Sequence, residues 1–316
     1  MTEDIDFRKI RTSSLREKKH KVDVEDLSKP LAPGASFRDF FDSLPRILAG
    51  SDLREVVEAV VRARKQNRGV VMAMGAHVIK CGLSPLVIRL MEEKVLTAIA
   101  MNGAGIIHDF ELAFTGSTSE DVADELKDGS FGMAEETGSF LNKAILRGVK
   151  EGLGIGEATG TALAESGFSN TEFSILAAGH RLGIPVTVHV AIGTDTIHFH
   201  PDVSGEALGK GSLRDFKRYA SALRNLDNGG VYFNIGSAVV LPEVFLKALS
   251  LLRNLGHGMR NFTTVNLDFI QHYRPVENVL KRPVLGGGKG IALTGHHEIL
   301  LPLLAAGIFE ALFHHT

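Results

Sequence analysis

Two histidines of this chain stand in or just after glycine-rich turns, each of which closes a short apolar run. Gly69-Val70-Val71-Met72-Ala73-Met74 leads into Gly75-Ala76-His77. Leu96-Thr97-Ala98-Ile99-Ala100-Met101 leads into Asn102-Gly103-Ala104-Gly105-Ile106-Ile107-His108-Asp109. Imidazole exchanges protons near neutral pH, so His108 is a candidate general acid/base, with Asp109 as its orienting partner or as a substrate ligand. Glycine admits backbone N–H groups close to an anion, and a helix opening in the 102–109 turn has free N–H groups to offer one. The plainer reading of the same residues is a tight strand-to-helix turn, with Asp109 favourable in the first turn of the helix.

Other residues could carry different chemistry. His189, His198 and His200 lie near Asp195, and a His-x-His pair after a strand can ligate zinc, as a metal-dependent hydrolase would require. Alternation puts His198 and His200 on one side of an extended segment even without metal, so half-buried, satisfied histidines are the competing reading. Lys281 and Lys289 are candidate amine nucleophiles or phosphate ligands. Lys289 follows the glycines at 286–288, but that run lacks the strand-to-helix order of a phosphate-binding loop. In Gly154-Ile155-Gly156-Glu157-Ala158-Thr159-Gly160 the third glycine comes one residue late for a dinucleotide fingerprint, and the motif follows a helix. It reads as a helix-helix turn.

The elements that must position these residues follow from periodicity. Apolar, β-rich runs predict strands over 69–74, 96–101, 184–190, 230–235, 262–266 and 290–294. The third ends in the polar turn 191–195, the fourth at Gly236-Ser237, and the sixth at Thr294-Gly295-His296-His297-Glu298. Between them, helical spacing predicts helices over 36–49, 51–65, 85–94, 118–126, 133–150, 169–182, 213–226, 241–255 and 299–312. Alternation of this kind predicts an α/β fold with a Rossmann-like, mostly parallel sheet and helices on both faces. Parallel strands deliver their carboxyl-end turns to one edge, where open α/β sheets bind ligands. Residues 1–34, dense in charge from Arg8 to Lys21, read as an arm that is either solvated or reaches a neighbouring subunit or the site. Residues 35–316 read as a single domain.

Composition narrows the function classes. A formal net charge of -2 over 316 residues supplies no general field for nucleic acid. The single cysteine, Cys81, excludes an internal disulfide and a multi-cysteine zinc site. No run approaches the ~18 apolar residues of a membrane span, and the amino terminus lacks the apolar core of a signal peptide. The expectation is a cytoplasmic protein with neither membrane nor nucleic-acid partners.

Laid end to end, the strand-end turns from about Val70 onward resemble deoxyhypusine synthase. Asn102-Gly103-Ala104-Gly105-Ile106-Ile107-His108-Asp109 sits where that family has Thr-Ala-Gly-Gly-Val-Glu-Glu-Asp. Ile184-Pro185-Val186 with Thr194-Asp195 matches its Ile-Pro-Val strand and Thr-Asp turn. Asn234-Ile235-Gly236-Ser237-Ala238-Val239-Val240 resembles its Leu-Gly-Gly-Gly-Val-Val segment, and Thr263-Thr264-Val265-Asn266-Leu267-Asp268 stands in place of Tyr-Ile-Asn-Thr-Ala. The resemblance implies an NAD-binding Rossmann-like fold, a homodimer or homotetramer with sites at subunit interfaces, and hydride removal from an amine. In that family an aminobutyl group then passes through an imine on an enzyme lysine. By resemblance, an NAD-like ligand lies along Gly75, Ala76, His77, Asn102, Gly103, Ala104, Gly105, Asp195, Gly236, Ser237, Asn266, Asp268, Thr294 and Gly295, with Asp195 on ribose hydroxyls.

The departures bear on substrate. The chain has no tryptophan, so the family's Trp-Gly-Lys is missing, and Lys281 or Lys289 is left to form the imine. The paired glutamates become Ile107-His108, and a family histidine falls near Pro242-Glu243. A buried polyamine dication needs carboxylate partners. The expectation is therefore an NAD-dependent enzyme of transferase or dehydrogenase type acting on another small amine or amino-acid-like molecule. The alternatives are the metal-dependent hydrolase and a non-catalytic NAD-binding protein.

Overall fold

A computed structural model describes residues 4–313; residues 1–3 of the charged arm and 314–316 at the other end lie outside the described residues. Contacts divide the chain into two units, Met1–Ser51 and Asp52–Thr316. In the first, short 3-10 turns at Phe7–Lys9, Leu15–Glu17 and Val24–Asp26 precede helix α1 (Phe37–Ser43). Ser36 caps α1 reciprocally with Asp39. Lys29 N–H donates to Ser43 O and Arg46 N–H to Asp26 O, each at 3.0 Å, tying residues 26–46 together.

The second unit is built on six parallel strands: β1 (Val70–Met74), β2 (Ala98–Asn102), β3 (Val186–His189), β4 (Val231–Ile235), β5 (Phe262–Asp268) and β6 (Gly288–Thr294). Their spatial order is β3-β2-β1-β4-β5-β6. This is the doubly wound order whose direction reverses between β1 and β4. Register is fixed across that centre, with Val71 opposite Tyr232 and Met74 opposite Ile235. Runs such as Val70-Val71-Met72-Ala73-Met74 are buried throughout, because both faces of a parallel sheet are covered.

The helices of this unit are α2 (Leu48–Lys65, which begins in the first unit), α3 (His77–Lys80), α4 (Ser84–Glu92), α5 (Gly103–Thr115), α6 (Val122–Glu125), α7 (Glu135–Lys150) and α8 (Ile155–Glu165). After them come α9 (Ile175–Leu182), α10 (Gly205–Leu223), α11 (Val240–Asn254), α12 (Tyr273–Pro275) and α13 (His297–Phe313). Successive strand residues point to opposite faces. Val71, Ala73 and Tyr232 pack under α10 and α11 through Tyr219, Leu223, Phe245 and Leu249. Val70, Met72 and Phe233 pack against α4 and α13 through Leu90, Leu301 and Leu304.

Several elements depart from expectation: the predicted 36–49 helix stops at Ser43, and the predicted 169–182 helix begins only at Ile175. The 154–160 glycine motif is not a helix-helix turn but the start of α8. A Cβ at Gly156 would overlap the Val186 carbonyl, and one at Gly160 would come within 2.7 Å of Leu176 O, so these glycines are a packing face for β3 and α9. Helix α10 starts at Gly205, ahead of the apolar stripe that marks it in sequence, with Ser204 as cap. The predicted 118–126 helix is reduced to α6. No helix among the described residues is long and apolar enough to cross a membrane.

Candidate functional site at the carboxyl edge

At the reversal of strand order, the turns after β1 and β4 touch. Gly75 N–H donates to Ile235 O (2.9 Å), and a Cβ at Gly75 would overlap Gly236 O, so only glycine fits. Gly236 itself has φ +64, a left-handed conformation that glycine adopts without penalty. A Cβ there would stand 3.0 Å from His297 Cε1. The buried His297, at the start of α13, thus roofs the junction; its Nε2 lies 3.2 Å from Leu267 O and 3.9 Å from Asp268 Oδ1. Burial pushes its pKa below the usual imidazole value, against the pull of the Leu267 carbonyl and Asp268 carboxylate. Exposed His77, opening α3, sets its ring edge-on to His297 at 5.6 Å between centroids.

Amides line the β4–β6 side. Asn234 Nδ2 donates to Asn266 Oδ1 (2.7 Å) and to Ser237 O (2.9 Å). Asn266 Nδ2 donates to Gln271 Oε1 (2.7 Å), and Gln271 Nε2 reaches Thr294 Oγ1 (3.2 Å). Ser237 Oγ accepts from Leu241 N–H in the first turn of α11. Gly295 N–H donates to Asp268 O, holding the turn after β6 to β5.

On the β2–β3 side, Asp195 packs against the first turn of α5, and a Cβ at Gly103 would overlap its carboxylate. Burial raises the Asp195 pKa, offset in part by His198, the Thr194 hydroxyl and the Ala104 N–H. His198 Nδ1 accepts from Gly193 N–H (3.2 Å), which directs Nε2–H toward Asp195 Oδ2 at 3.7 Å. That distance is too long for a hydrogen bond. Asp195 Oδ2, His198 Nε2 and Asn102 Oδ1 are all buried without a partner. Unpartnered buried polar atoms are costly; Asp195 Oδ2 lies against Gly103 and faces His198 Nε2.

His108 stands on the same face of α5 as Ala104, one turn further on. Its Nδ1 lies 2.7 Å from Thr118 Oγ1 and 3.6 Å from Glu111 Oε2. Asp109 points the other way and is fully buried. It accepts from Ser174 Oγ (2.5 Å), Ile175 N–H (2.8 Å) and Leu176 N–H (3.2 Å) at the start of α9. Burial lifts its pKa to about 6 despite these bonds. Asp109 is therefore a cap of α9 and not the partner of His108, because adjacent residues on a helix diverge while i,i+3 residues meet.

Further expectations are corrected here. Lys289 opens β6 at the amino edge, opposite Thr263, and pairs with Glu55. Lys281 ends a π-helical turn, Val276–Lys281, and its exposed Nζ pairs with Glu277 Oε1 at 2.7 Å. The preceding Leu280 backbone packs against Gly290, near the amino end of β6. Neither lysine reaches the carboxyl edge. Gly105 gives its space to Met101 Sδ, 2.8 Å from where its Cβ would stand, so it serves the packing of α5 on the end of β2.

The histidines of the proposed zinc site do not converge. His189 sits in the core against Tyr219, with Nε2 3.1 Å from Thr187 Oγ1 and a pKa pushed down to about 4 by burial. His200 pairs with Glu135. Among the described residues no three His, Cys, Asp or Glu side chains group to hold a metal ion. Sequence reasoning overlooked Glu111, Thr118, Asn234 and Gln271. The i,i+3 spacing of His108 and Glu111 was the available signal. A cavity of about 510 Å3 lies apart from this edge, outside the amino half of β3, between α8, α9 and α10. Its charged rim, Arg218 and Glu157, is already paired.

This architecture, an all-parallel doubly wound sheet with glycine turns closing its switch point, is that of the deoxyhypusine synthase-like class of α/β folds. Among solved structures, the chain is similar to a protein assigned as a deoxyhypusine synthase from Entamoeba histolytica (13% identity, 88% of this chain and 95% of that one, TM-score 0.52). It is also similar to a conserved protein assigned as LOR/SDH from Methanococcus maripaludis (16% identity, 83% of this chain and 70% of that one, TM-score 0.52). The third is ArgZ, an arginine dihydrolase of the cyanobacterial ornithine-ammonia cycle (17% identity, TM-score 0.50), where the match covers 83% of this chain but only 33% of ArgZ. No protein-family model and no curated protein matches the sequence.

Proposed function

We propose that this chain is an NAD-dependent enzyme that removes hydride from a small amine or amino-acid-like substrate, working as a homodimer or homotetramer. The observation that carries the reading is the pairing, at one sheet edge, of a glycine-only junction with unpartnered buried acceptors on Asn102 and Asp195. Ribose hydroxyls are donors that suit those acceptors, and the Ala76 and Ser237 N–H groups suit a pyrophosphate, since those of Gly75 and Gly236 are already given to Ile235 O and Leu267 O. The α5 N-terminus is no seat for phosphate, because Asp195 already occupies it. When bound, NAD supplies the hydride acceptor. The chain's own part is to hold the amine near His108 and to accept a proton there as hydride leaves. The amides of Asn234, Asn266 and Gln271 and the carboxylate of Asp268 line the side on which His77 and His297 stand. Group transfer through a lysine imine forms no part of this reading, since Lys281 and Lys289 lie away from the edge.

Resemblance to deoxyhypusine synthase and likeness to an LOR/SDH protein favour amino compounds as substrates. ArgZ makes arginine and ornithine the first to test, although its dihydrolase activity has to be weighed against the two thirds of ArgZ that this chain does not match. Calorimetry with NAD is expected to show saturable binding that Asp195→Ala weakens about tenfold or more, the worth of a charge-assisted hydrogen bond. Absorbance of NADH with a panel of amines then tests turnover. Absence of NAD binding would overturn the reading, and binding without turnover would reduce it to a non-catalytic NAD protein.

A further inference from the structure

The contacts of His108 have a direction. Thr118 carries one hydroxyl proton. The Glu111 carboxylate can only accept, and it takes that proton at 2.5 Å. The Thr118 oxygen then presents a lone pair to His108 Nδ1, 2.7 Å away, so Nδ1 must be the protonated ring nitrogen. Nε2 makes no hydrogen bond to a described residue.

Two features show that the chain of bonds is built and not incidental. Burial of Glu111 favours its neutral form, yet the His108, Thr118 and Ser119 groups around it outweigh burial and hold its carboxyl below the usual range, keeping it an acceptor. The Ser119 N–H that contributes comes from a residue at φ +73. Left-handed backbone at a non-glycine residue is costly, and such strain persists where the surroundings impose it. The Thr137 hydroxyl, from α7, closes the other side of the carboxylate at 3.4 Å from Oε1.

We propose that Glu111 and Thr118 are positioning residues that fix His108 as the Nδ1–H tautomer, leaving Nε2 as the nitrogen that takes the substrate proton. This rests on the catalytic role given to His108 above. It adds which nitrogen acts and which residues choose it. An ordinary i,i+3 staple between α5 and the following loop would lower stability when cut but would have no say over the ring proton.

Ring 15N shifts of labelled protein, assigned with a His108→Gln sample, read the tautomer without substrate or cofactor. In the native protein Nδ1 is expected to be protonated and Nε2 bare. Thr118→Val is expected to move the ring toward Nε2–H, and Thr118→Ser to restore it. A native ring with Nε2–H, or no change in Thr118→Val, would overturn the proposal, and the first needs no variant to fold. In turnover, Thr118→Val is expected to lower kcat about 100-fold, the lower end of what a correctly protonated acid–base group contributes, with KM near native. A KM effect alone would count against positioning. If His108→Gln left turnover intact while the ring shifts came out as expected, the reading of function would fail and the tautomer assignment would stand.

Discussion

At the residue scale, the junction of Gly75 and Gly236 makes a sharp demand. A methyl at residue 75 meets backbone, which cannot rotate away as a side chain can. Gly75→Ala is expected to destabilise the fold by about 1–3 kcal/mol, the usual cost of overpacking, measured by urea unfolding. It should also weaken NAD binding by displacing the Gly236 turn. Gly82, also a turn glycine, has open space around its missing Cβ, although its φ of +75 still strains a substitution. Gly82→Ala therefore reports backbone strain alone, whereas a Gly75→Ala loss well below about 1 kcal/mol would refute the packing account. Histidine at 108 was legible in the sequence as a candidate acid–base group. Its partner was not, because chain adjacency suggested Asp109 while the 100° step of a helix gives the place to Glu111.

At the scale of elements, Asp109 ties α5 to the first turn of α9 from a position 65 residues earlier in the chain. Its carboxylate satisfies N–H groups that a helix start would otherwise leave bare, together with the Ser174 hydroxyl, which itself caps Ala177 N–H. Asp109→Ala leaves those donors buried without a partner, and a loss of about 2–4 kcal/mol is expected in chemical denaturation. Hydrogen exchange should rise first at Ile175 and Leu176. Protection there unchanged from native would remove the capping role. Most strands and long helices were readable from periodicity. Helix α8 was not, because glycines at 154, 156 and 160 imitate a turn until β3 and α9 are seen packed against them.

Over the whole molecule, edge strand β3 is closed by α10. Asp215 accepts N–H bonds from Gly156 and Val188, both at 2.9 Å, and Ser212 Oγ accepts one from Val190 at 3.4 Å. Free strand edges invite pairing with other chains, and side chains that occupy the donors block it. Burial raises Asp215 to a pKa of about 7. A carboxyl raised in the folded state favours folding most fully below its unfolded pKa and loses that contribution as pH rises toward 7. His189, lowered to about 4, acts oppositely, its contribution fading as pH falls from about 6.5 toward 4. Asp215→Asn removes only the first effect. Relative to native, its stability is expected to gain about 2 kcal/mol between pH 5 and pH 7, read from urea midpoints. A parallel pH dependence in both proteins would show that Asp215 does not titrate in that range.

The sequence by itself determined the strand–helix alternation, the glycine turns and the expectation that these turns share an edge, because each follows from local periodicity and from backbone conformations that few residues tolerate. It could not determine which charged groups meet. Lysines 281 and 289 were plausible nucleophiles until the crossover after β5 carried them to the amino edge, and the histidine trio was a plausible zinc site until β3 buried one member in the core. The strand order decided which turns became neighbours, and helix packing decided that Asp109 would serve structure while Glu111 faced His108. Those outcomes depend on contacts between residues tens of positions apart, and no local pattern in the chain encodes them.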